Sequence, residues 1–305
     1  MAGISDNARG ALLMMAAMAG FTLNDTCLKA LSDELPLYQA LFLRGLATTL
    51  FLYLLARGMG ALRFDFAARD WGLVALRTGA EVAAAWFFLT ALFHMPLANA
   101  TAILQSLPLA ITLAGALFLG EAVGWRRLSA ILIGFAGVLL IVRPGAAGFT
   151  VYSLYALAAV ACVTLRDLST RRLSRAVPSL TVALAGSVGV TLFGAAGSLG
   201  GGWAPISALA ALQLAGATVF VILGYVCSVM VMRAGDLGFV ALFRYTGLIW
   251  ALVLGLLVFG HWPEPPTLAG AAIVAATGLF TLWRERTRRT AAAEGAALVA
   301  GPPPD

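Results

Sequence analysis

Six ionisable side chains stand inside long apolar stretches of this sequence: Asp25, Lys29, Arg44, Arg77, Glu81 and Arg244. In the centre of a lipid bilayer a charged side chain costs about 2.5–3.5 kcal/mol on insertion scales. A residue that carries this cost has a charge partner, a water-filled surrounding or a functional role. These positions are therefore the first candidates for a binding site.

Asp25 has Asn24 beside it and Lys29 four residues further along the chain. Residues at i and i+4 share one face of a helix, so Asp25 and Lys29 are expected to pair. One interpretation is an ion pair that reaches water at the membrane interface. The alternative is that Asp25 is an outer gate or an acid that couples transport to a proton.

Arg77 and Glu81 are also four residues apart, well inside an apolar stretch that continues to Trp86. A buried pair of opposite charges can be purely structural, although it is expensive to bury. The alternative is a water-filled cavity in which a substrate or a proton competes for the pair. Glu81 is therefore a candidate both for binding and for coupling, together with Asp25.

Gln105 and Tyr245 occupy corresponding positions, 140 residues apart, in two similar segments. Polar residues related in this way near the membrane midplane are where transporters with inverted repeats build their sites. Ser106 and Pro108 predict a kinked or locally loosened helix beside Gln105. The simpler interpretation of Gln105 is a hydrogen bond between helices.

Arginine outnumbers the acidic groups at these positions, which disfavours a cationic substrate. It favours carboxylate, phosphate or several carbonyl acceptors, because a guanidinium offers paired donors to such groups. Trp86 and Tyr245 add flat surfaces for an aromatic ring. The predicted substrate-binding residues are Asn24, Arg44, Arg77, Glu81, Trp86, Gln105, Arg244 and Tyr245.

The elements that must position these residues come from a repeat. The segment 22–32, closed by Pro36, recurs 142 residues later as 164–174, closed by Pro178. Similarity continues through both halves of the chain, so two copies of one unit are the simplest interpretation. We place the first five-helix repeat at residues 1–145 and the second at 146–284.

Composition indicates that these helices lie in lipid. Of 305 residues, 61% are hydrophobic and only 11% are charged, whereas soluble domains carry about 25% charged residues. Apolar windows of about 20 residues predict membrane-spanning helices. The predicted spans are 9–29, 36–56, 71–93, 96–119, 126–143, 150–170, 178–198, 207–232, 236–259 and 265–283.

An odd number of helices per repeat requires the second copy to be inverted relative to the first. The loop charges agree: the loop with Arg57, Arg63 and Arg69 has the uncharged stretch 194–207 as its counterpart. Basic loops remain in the cytoplasm, so both termini are expected there. The fold class is an all-α polytopic membrane protein with ten transmembrane helices as two inverted five-helix repeats. Residues 285–305 are expected to form a disordered cytoplasmic tail.

Several motifs of other function classes are missing from the sequence. Lys29, the only lysine, follows no Gly-rich loop, so there is no nucleotide-binding P-loop. The only histidines, His94 and His261, lie at predicted helix ends and outside any protease motif. Three isolated cysteines indicate neither a disulfide framework nor a metal site. We expect no enzyme, no catalytic residue, no metal and no cofactor.

Three segments near the middle of the chain carry a family resemblance: 119–121 (Leu-Gly-Glu), 125–128 (Trp-Arg-Arg-Leu) and the Gly-rich run 134–140. Together they resemble the junction of the fourth and fifth helices in EamA-type proteins of the drug/metabolite transporter superfamily. Segment 95–102, which opens the fourth span, is also similar. The resemblance covers about residues 8–284 and implies ten helices and a transport function.

The family's substrates include amino acids, nucleotide-like compounds and vitamins, moved in either direction. One departure is His261, which stands where the first repeat has Glu121. The resemblance thus leaves the substrate open: a vitamin such as riboflavin, taken up by the cell, or an amino acid or related metabolite that is exported.

The function predicted from these observations is secondary transport, without ATP, of a small polar metabolite by alternating access. The site would be one cavity lined by helices 1, 3 and 4 and their counterparts 6, 8 and 9. A membrane-embedded enzyme and a structural or channel-like bundle are the alternatives from other classes. Expected partners are a small-molecule substrate, the lipid bilayer and a coupling proton, with no nucleic acid. The protein would be a monomer or homodimer in a bacterial cytoplasmic (inner) membrane.

Overall fold

The computed structural model describes residues 6–121, 123–144, 149–174, 176–231 and 237–300. Ten helices in these ranges are long and apolar enough to cross a membrane. They are α1 (Asp6–Ala30), α2 (Leu37–Gly58), α3 (Ala68–His94), α4 (Leu97–Leu104 and Leu107–Leu119), α5 (Trp125–Val142), α6 (Val151–Arg171), α7 (Ser179–Gly200), α8 (Ala208–Val231), α9 (Thr246–Phe259) and α10 (Pro265–Ala300). A 3₁₀ turn, Ala241–Tyr245, precedes α9 directly and forms the ninth span together with it. The ten predicted spans are confirmed, and the protein is an all-α polytopic membrane protein.

Proline sets the start of several membrane helices. Pro36, Pro96 and Pro178 immediately precede α2, α4 and α7. Proline has no N–H to donate, and the first N–H groups of a helix have no acceptor within that helix. These prolines therefore start helices at sharp turns without losing a hydrogen bond.

Glycine ends both α4 and α9. Gly120 and Gly260 follow the last helical residue with φ of 68° and 66°. This left-handed conformation is favourable for glycine because it has no Cβ. The two glycines are 140 residues apart, so corresponding helices in the two halves of the chain both end in a left-handed glycine.

The helices pack most extensively in four pairs: α1 with α8, α3 with α6, α2 with α7, and α5 with α10. Small residues allow the close approach. A methyl group added to Gly137 on α5 would lie 2.9 Å from the carbonyl oxygen of Gly270 on α10. On α2, a methyl group added to Gly45 would lie 2.6 Å from Thr191 Oγ1 of α7. Glycine therefore lets the backbones of these helix pairs come together.

The connections gather at two ends of the bundle. The basic end carries Arg57, Arg63, Arg69, Arg126, Arg127, Arg171, Arg172 and Arg284. It is tied together by an ion pair of 3.0 Å between Arg171 and Glu121 and by a hydrogen bond from the Ser174 N–H to Asp70. The opposite end contains Lys29 and Arg143, and there Arg143 pairs with Glu264 at 2.5 Å.

The C-terminal segment, which we expected to be a disordered tail, is described in part. Helix α10 continues through the Ala-rich stretch to Ala300, and residues 301–305 lie outside the described part. Alanine has the highest intrinsic helix propensity, so a helix that has already started can extend through such a stretch. The proposed boundary between repeats at 145/146, the predicted end of the eighth span at 232 and the start of the ninth at 236 also lie outside the described residues.

Candidate functional site

A cavity of about 270 Å³ lies among α2, α3, α6, α7 and α8. Charged side chains line it from three of these helices: Arg44, Arg77, Glu81, Arg166 and Asp167. Three are arginines and two are acids, so the lining has a formal charge of +1 (3 − 2). Most of the remaining lining is small or apolar, which makes this cavity a candidate site for a small ligand with a negative group.

Glu81 is at the centre of an ion-pair network in the cavity. Its carboxylate lies 3.4 Å from Arg77 Nη2 on the same helix and 3.2 Å from Arg166 Nη1 on α6. Arg166 Nε in turn donates to Asp167 Oδ1 at 2.8 Å. The four side chains are between 13% and 29% exposed, so water or a ligand in the cavity can reach them. The predicted Arg77–Glu81 pair is present and is part of a larger network.

Arg77 uses all three of its guanidinium nitrogens within the protein. Nη2 faces Glu81, Nε donates to Thr170 Oγ1 at 3.2 Å, and Nη1 donates to the Val182 carbonyl at 3.1 Å. Gly186 on α7 makes room for this arrangement, because a methyl group there would lie 2.9 Å from Nη1. Arg77 thus ties α3 to α6 and α7.

Arg44 is less fully engaged than Arg77. Its Nη1 donates to Asn24 Oδ1 at 3.2 Å, and Asn24 Nδ2 donates to Asp25 Oδ1 at 2.9 Å. Among the described residues, the buried Nε of Arg44 has no hydrogen-bond partner. An unpaired buried donor is costly, so Arg44 has unmet capacity to bind an acceptor. Asn24 and Asp25 hold Arg44 from the α1 side.

Arg166 and Asp167 were not among the predicted binding residues, yet both line the cavity. The repeat contains a signal that could have found them. They stand 142 residues after Asn24 and Asp25 and therefore occupy the same position in the second copy. This correspondence belongs to the segment that reveals the repeat. The candidate role given to Asn24 and Asp25 could therefore have been given to Arg166 and Asp167 as well.

Gln105 lies at an interruption of α4. The helix breaks at Gln105 and Ser106, and Pro108 stands in the first turn of the second segment. Gln105 Nε2 donates across to the main-chain carbonyl of Arg244 at 3.2 Å, in the 3₁₀ turn that precedes α9. The loosened helix predicted at this point is confirmed, and Gln105 joins α4 to the corresponding part of the second half.

Tyr245 and Arg244 are not part of the cavity lining. The Tyr245 ring packs against Gly278 of α10, and among the described residues its buried hydroxyl has no partner. The Arg244 guanidinium interacts electrostatically with Asp167 and Arg166, so it extends the positive region behind the cavity.

Trp86 also lies away from the cavity. Its ring packs at a tilt against Phe87 and against Tyr155 of α6, at ring-centroid distances of 4.8 and 5.7 Å. The only aromatic side chain in the lining is Tyr225 of α8, as far as the structure describes the chain. The flat aromatic surface expected from Trp86 and Tyr245 is therefore not formed in this cavity, because both rings fill contacts between helices.

The expected pairing of Asp25 with Lys29 is wrong. Lys29 Nζ donates to the carbonyls of Leu92 and Met95 at 2.9 and 2.8 Å, at the C-terminus of α3. The last carbonyls of a helix lack partners and carry partial negative charge, so they attract a lysine. Asp25 instead accepts from Asn24.

The helices around the cavity also require a correction. We expected α1, α3 and α4 with α6, α8 and α9, but the lining comes from α2, α3, α6, α7 and α8. The close packing of α2 on α7 explains this difference. Thr49 Oγ1 lies 3.0 Å from Thr191 Oγ1 and 2.8 Å from Ser187 Oγ, which brings Arg44 and Gly186 to the cavity from the two helices.

The geometry can be compared with known proteins. The model of the EamA-like transporter family matches residues 8–143. The matched residues make up the first five membrane helices of this chain, α1 to α5. Ten apolar helices and a charged cavity between them are consistent with an EamA-type member of the drug/metabolite transporter superfamily.

Proteins similar to this chain are named as transporters of different compounds. A pseudopaline exporter of Pseudomonas aeruginosa is 28% identical, over 87% of this chain and 93% of the relative. A riboflavin transporter of Rhizobium johnstonii is 29% identical, over 92% of both chains. An S-adenosylmethionine uptake transporter of Rickettsia conorii is 25% identical over 63% of this chain.

A solved crystal structure shares the fold of this protein. It superimposes with a TM-score of 0.62, over 91% of this chain and 98% of the other, at 20% sequence identity. At this identity the likeness concerns the arrangement of the helices. The residues of the cavity must be interpreted from this chain alone.

Proposed function

We propose that this protein is a secondary transporter that carries a small metabolite bearing a carboxylate or another anionic group through the charged cavity. The observation that carries this proposal is Arg44, whose buried Nε has no partner among the described residues while its guanidinium lines the cavity. A guanidinium binds a carboxylate through two parallel hydrogen bonds. An anion on Arg44 would satisfy this donor and balance the excess positive charge.

The other two arginines of the cavity support this assignment, because more of their guanidinium nitrogens already interact with protein acceptors. Arg77 has each nitrogen engaged with a protein acceptor. Arg166 uses Nε and Nη1 on Asp167 and Glu81. A substrate that bound Arg77 first would have to break these interactions, whereas Arg44 can bind it without that cost.

Alternating access between two inverted repeats is the proposed mechanism. The helix pairing supports it, because α1–α8 and α6–α3 are the same contact if α1 corresponds to α6 and α3 to α8. The bond between Thr49 and Thr191 joins two residues that are 142 positions apart, as expected near an axis that relates the halves. Repeats of this kind expose a central site to each side in turn.

The orientation that we propose places the basic end in the cytoplasm of a bacterial cell, with the chain in the inner membrane. Positively charged connections remain on the cytoplasmic side, and both chain termini would then lie there. Arg166 and Thr170 line the cavity five residues and one residue before Arg171, which lies at the basic end. The cavity would therefore be close to the cytoplasm.

Proton coupling is a further part of the proposal. Glu81 and Asp25 remain the candidate acids, and the structure adds Asp167, which lines the same cavity. Glu81 is the best placed of them because its carboxylate pairs with arginines on two helices, Arg77 on α3 and Arg166 on α6. Transport that responds to an imposed pH gradient in proteoliposomes would support this role, and transport that is indifferent to the gradient would indicate facilitated diffusion or exchange.

Riboflavin uptake is the second candidate function. It is favoured by the riboflavin transporter that is 29% identical over 92% of both chains. The cavity favours it less, since Tyr225 is the one aromatic residue in the described lining. Export of amino acids or related metabolites fits the anionic proposal better, because these compounds carry a carboxylate.

A thermal-shift screen of detergent-purified protein tests the proposal. A ligand that binds the folded state raises the midpoint of unfolding as its concentration exceeds the dissociation constant. We expect stabilisation by a carboxylate-bearing metabolite, and a loss of affinity of at least about tenfold in Arg44→Gln, since a charge-assisted hydrogen bond contributes about 1.5–3 kcal/mol.

Arg57→Gln is the matched control, because Arg57 is exposed at the basic end and its side chain donates to Tyr53 Oη at 3.5 Å, outside the described cavity lining. It should bind as the unchanged protein does. A ligand whose affinity is the same in both variants would refute Arg44 as the anchor. Stabilisation by riboflavin but by no carboxylate would favour the second candidate.

A further inference from the structure

A second cavity, of about 540 Å³, opens between α3, α4 and α6. We call it the lateral groove. Leu76, Leu117, Phe118 and Leu165 line it and are 47%, 69%, 68% and 45% exposed. Large apolar side chains that are exposed on membrane helices face lipid, so the mouth of the groove opens to the bilayer.

The hydroxyls that reach the interior of the lateral groove offer no free hydrogen-bond donor. Ser106, Thr164 and Ser169 each donate to a carbonyl of their own helix three or four residues earlier, at 2.7, 2.7 and 2.8 Å. The other lining residues apart from Arg172 are apolar. A polar ligand would lose its water without gaining partners, so the groove selects an apolar chain.

Arg172 stands at the rim of the groove at the basic end. One nitrogen, Nη2, donates to the Phe118 carbonyl at 2.9 Å. The side chain is exposed, and no carboxylate of the described residues forms an ion pair with it. Its neighbour Arg171 is neutralised by Glu121 at 3.0 Å. Arg172 is thus a cation at the level where lipid headgroups lie, next to an apolar cleft.

We propose that the lateral groove binds one acyl chain of an anionic phospholipid, with the lipid phosphate on Arg172. The volume lies within the range of about 300–1,000 Å³ that is usual for ligand sites. Basic residues at this depth attract anionic headgroups, and burial of methylene groups supplies the affinity of the chain. The proposal concerns a surface separate from the charged cavity and does not depend on the substrate.

Native mass spectrometry of the detergent-purified protein tests this site, with phosphatidylglycerol or phosphatidylcholine added at equal concentration. Ala161 lines the groove, and Ala161→Trp should fill it. Ala272→Trp is the matched control, because Ala272 is exposed on α10 outside the groove. We expect the tightest bound phosphatidylglycerol to be lost in Ala161→Trp and kept in Ala272→Trp.

Two further variants separate the chain from the headgroup. Arg172→Gln keeps a donor for Phe118 but removes the charge, so it should abolish a several-fold preference for phosphatidylglycerol over phosphatidylcholine while one lipid still binds. Leu113→Phe narrows the groove with a smaller change and should weaken both lipids, which covers the case in which Ala161→Trp does not fold. Equal retention and equal preference in all variants would overturn the proposal.

Discussion

The three arginines of the cavity have different roles because their surroundings differ. Arg77 is held by acceptors on three helices, Arg166 bridges two carboxylates, and Arg44 has a buried donor without a partner among the described residues. The number of donors already used decides which guanidinium can bind a substrate. This difference concerns single side chains and is tested by single substitutions.

Gly186→Ala should displace the Arg77 guanidinium, since the new methyl group would lie 2.9 Å from Nη1. We expect about a tenfold loss of substrate affinity, because the network around Glu81 shifts with Arg77. Gly200→Ala on the same helix is the control: no atom lies within 4 Å of the added methyl group. A Gly186→Ala protein that binds like Gly200→Ala would refute the positioning role of Gly186.

At the scale of elements, the α-helical geometry is lost at corresponding places in the two halves: at the break in α4 and at the 3₁₀ turn before α9. Gln105 bonds to the Arg244 carbonyl between them. Pro108 cannot donate an N–H to the fourth residue before it, so a continuous helix would carry an unsatisfied carbonyl there. In transporters with inverted repeats, discontinuous helices at matching positions form the substrate site, and we expect the break in α4 to be a point of movement during transport.

Pro108→Ala should restore helical hydrogen bonding through the break in α4 and stiffen it. We expect the turnover of transport in proteoliposomes to fall several-fold, with substrate affinity within about threefold of the unchanged protein. Pro265→Ala is the control, because Pro265 is the first residue of α10, where a missing N–H has no cost. An unchanged turnover in Pro108→Ala would show that bending at this point does not limit transport.

At the scale of the whole molecule, charge separates the two ends of the bundle. Arginines crowd the basic end, and ion pairs such as Arg171–Glu121 and Arg143–Glu264 hold connections together at each end. The membrane potential and the anionic inner leaflet act on this asymmetry. We expect the orientation of the protein, and hence the side to which the cavity opens, to follow from it.

Labelling of single cysteines in intact cells measures this orientation. In a background with Cys27, Cys162 and Cys227 replaced by alanine, Gly202→Cys at the opposite end should react with a membrane-impermeant maleimide. Gly58→Cys at the basic end should react only after the cells are opened. Both glycines lie outside tight contacts, with no atom within 4 Å of an added methyl group. The reverse pattern of labelling would show that the basic end faces outward.

Much of this fold could be predicted because its signals are local. In lipid, every spanning segment must satisfy its own backbone hydrogen bonds, so a long apolar run becomes a helix wherever it occurs. The starts at Pro36, Pro96 and Pro178 and the break beside Pro108 also depend on the residue itself. The offset of 140 residues in this part of the two copies is what relates Gln105 in the first half to Tyr245 in the second.

The sequence by itself thus determined the number of membrane helices, their approximate ends and the presence of arginine-rich polar positions inside them. Only the tertiary structure decided which of these positions meet: Arg166 and Asp167 line the cavity, whereas Trp86 and Tyr245 pack between helices. The reason is rotational. A helix that is apolar on every face has no local pattern that fixes its rotation about its own axis, so packing against neighbouring helices sets which side chains face the cavity.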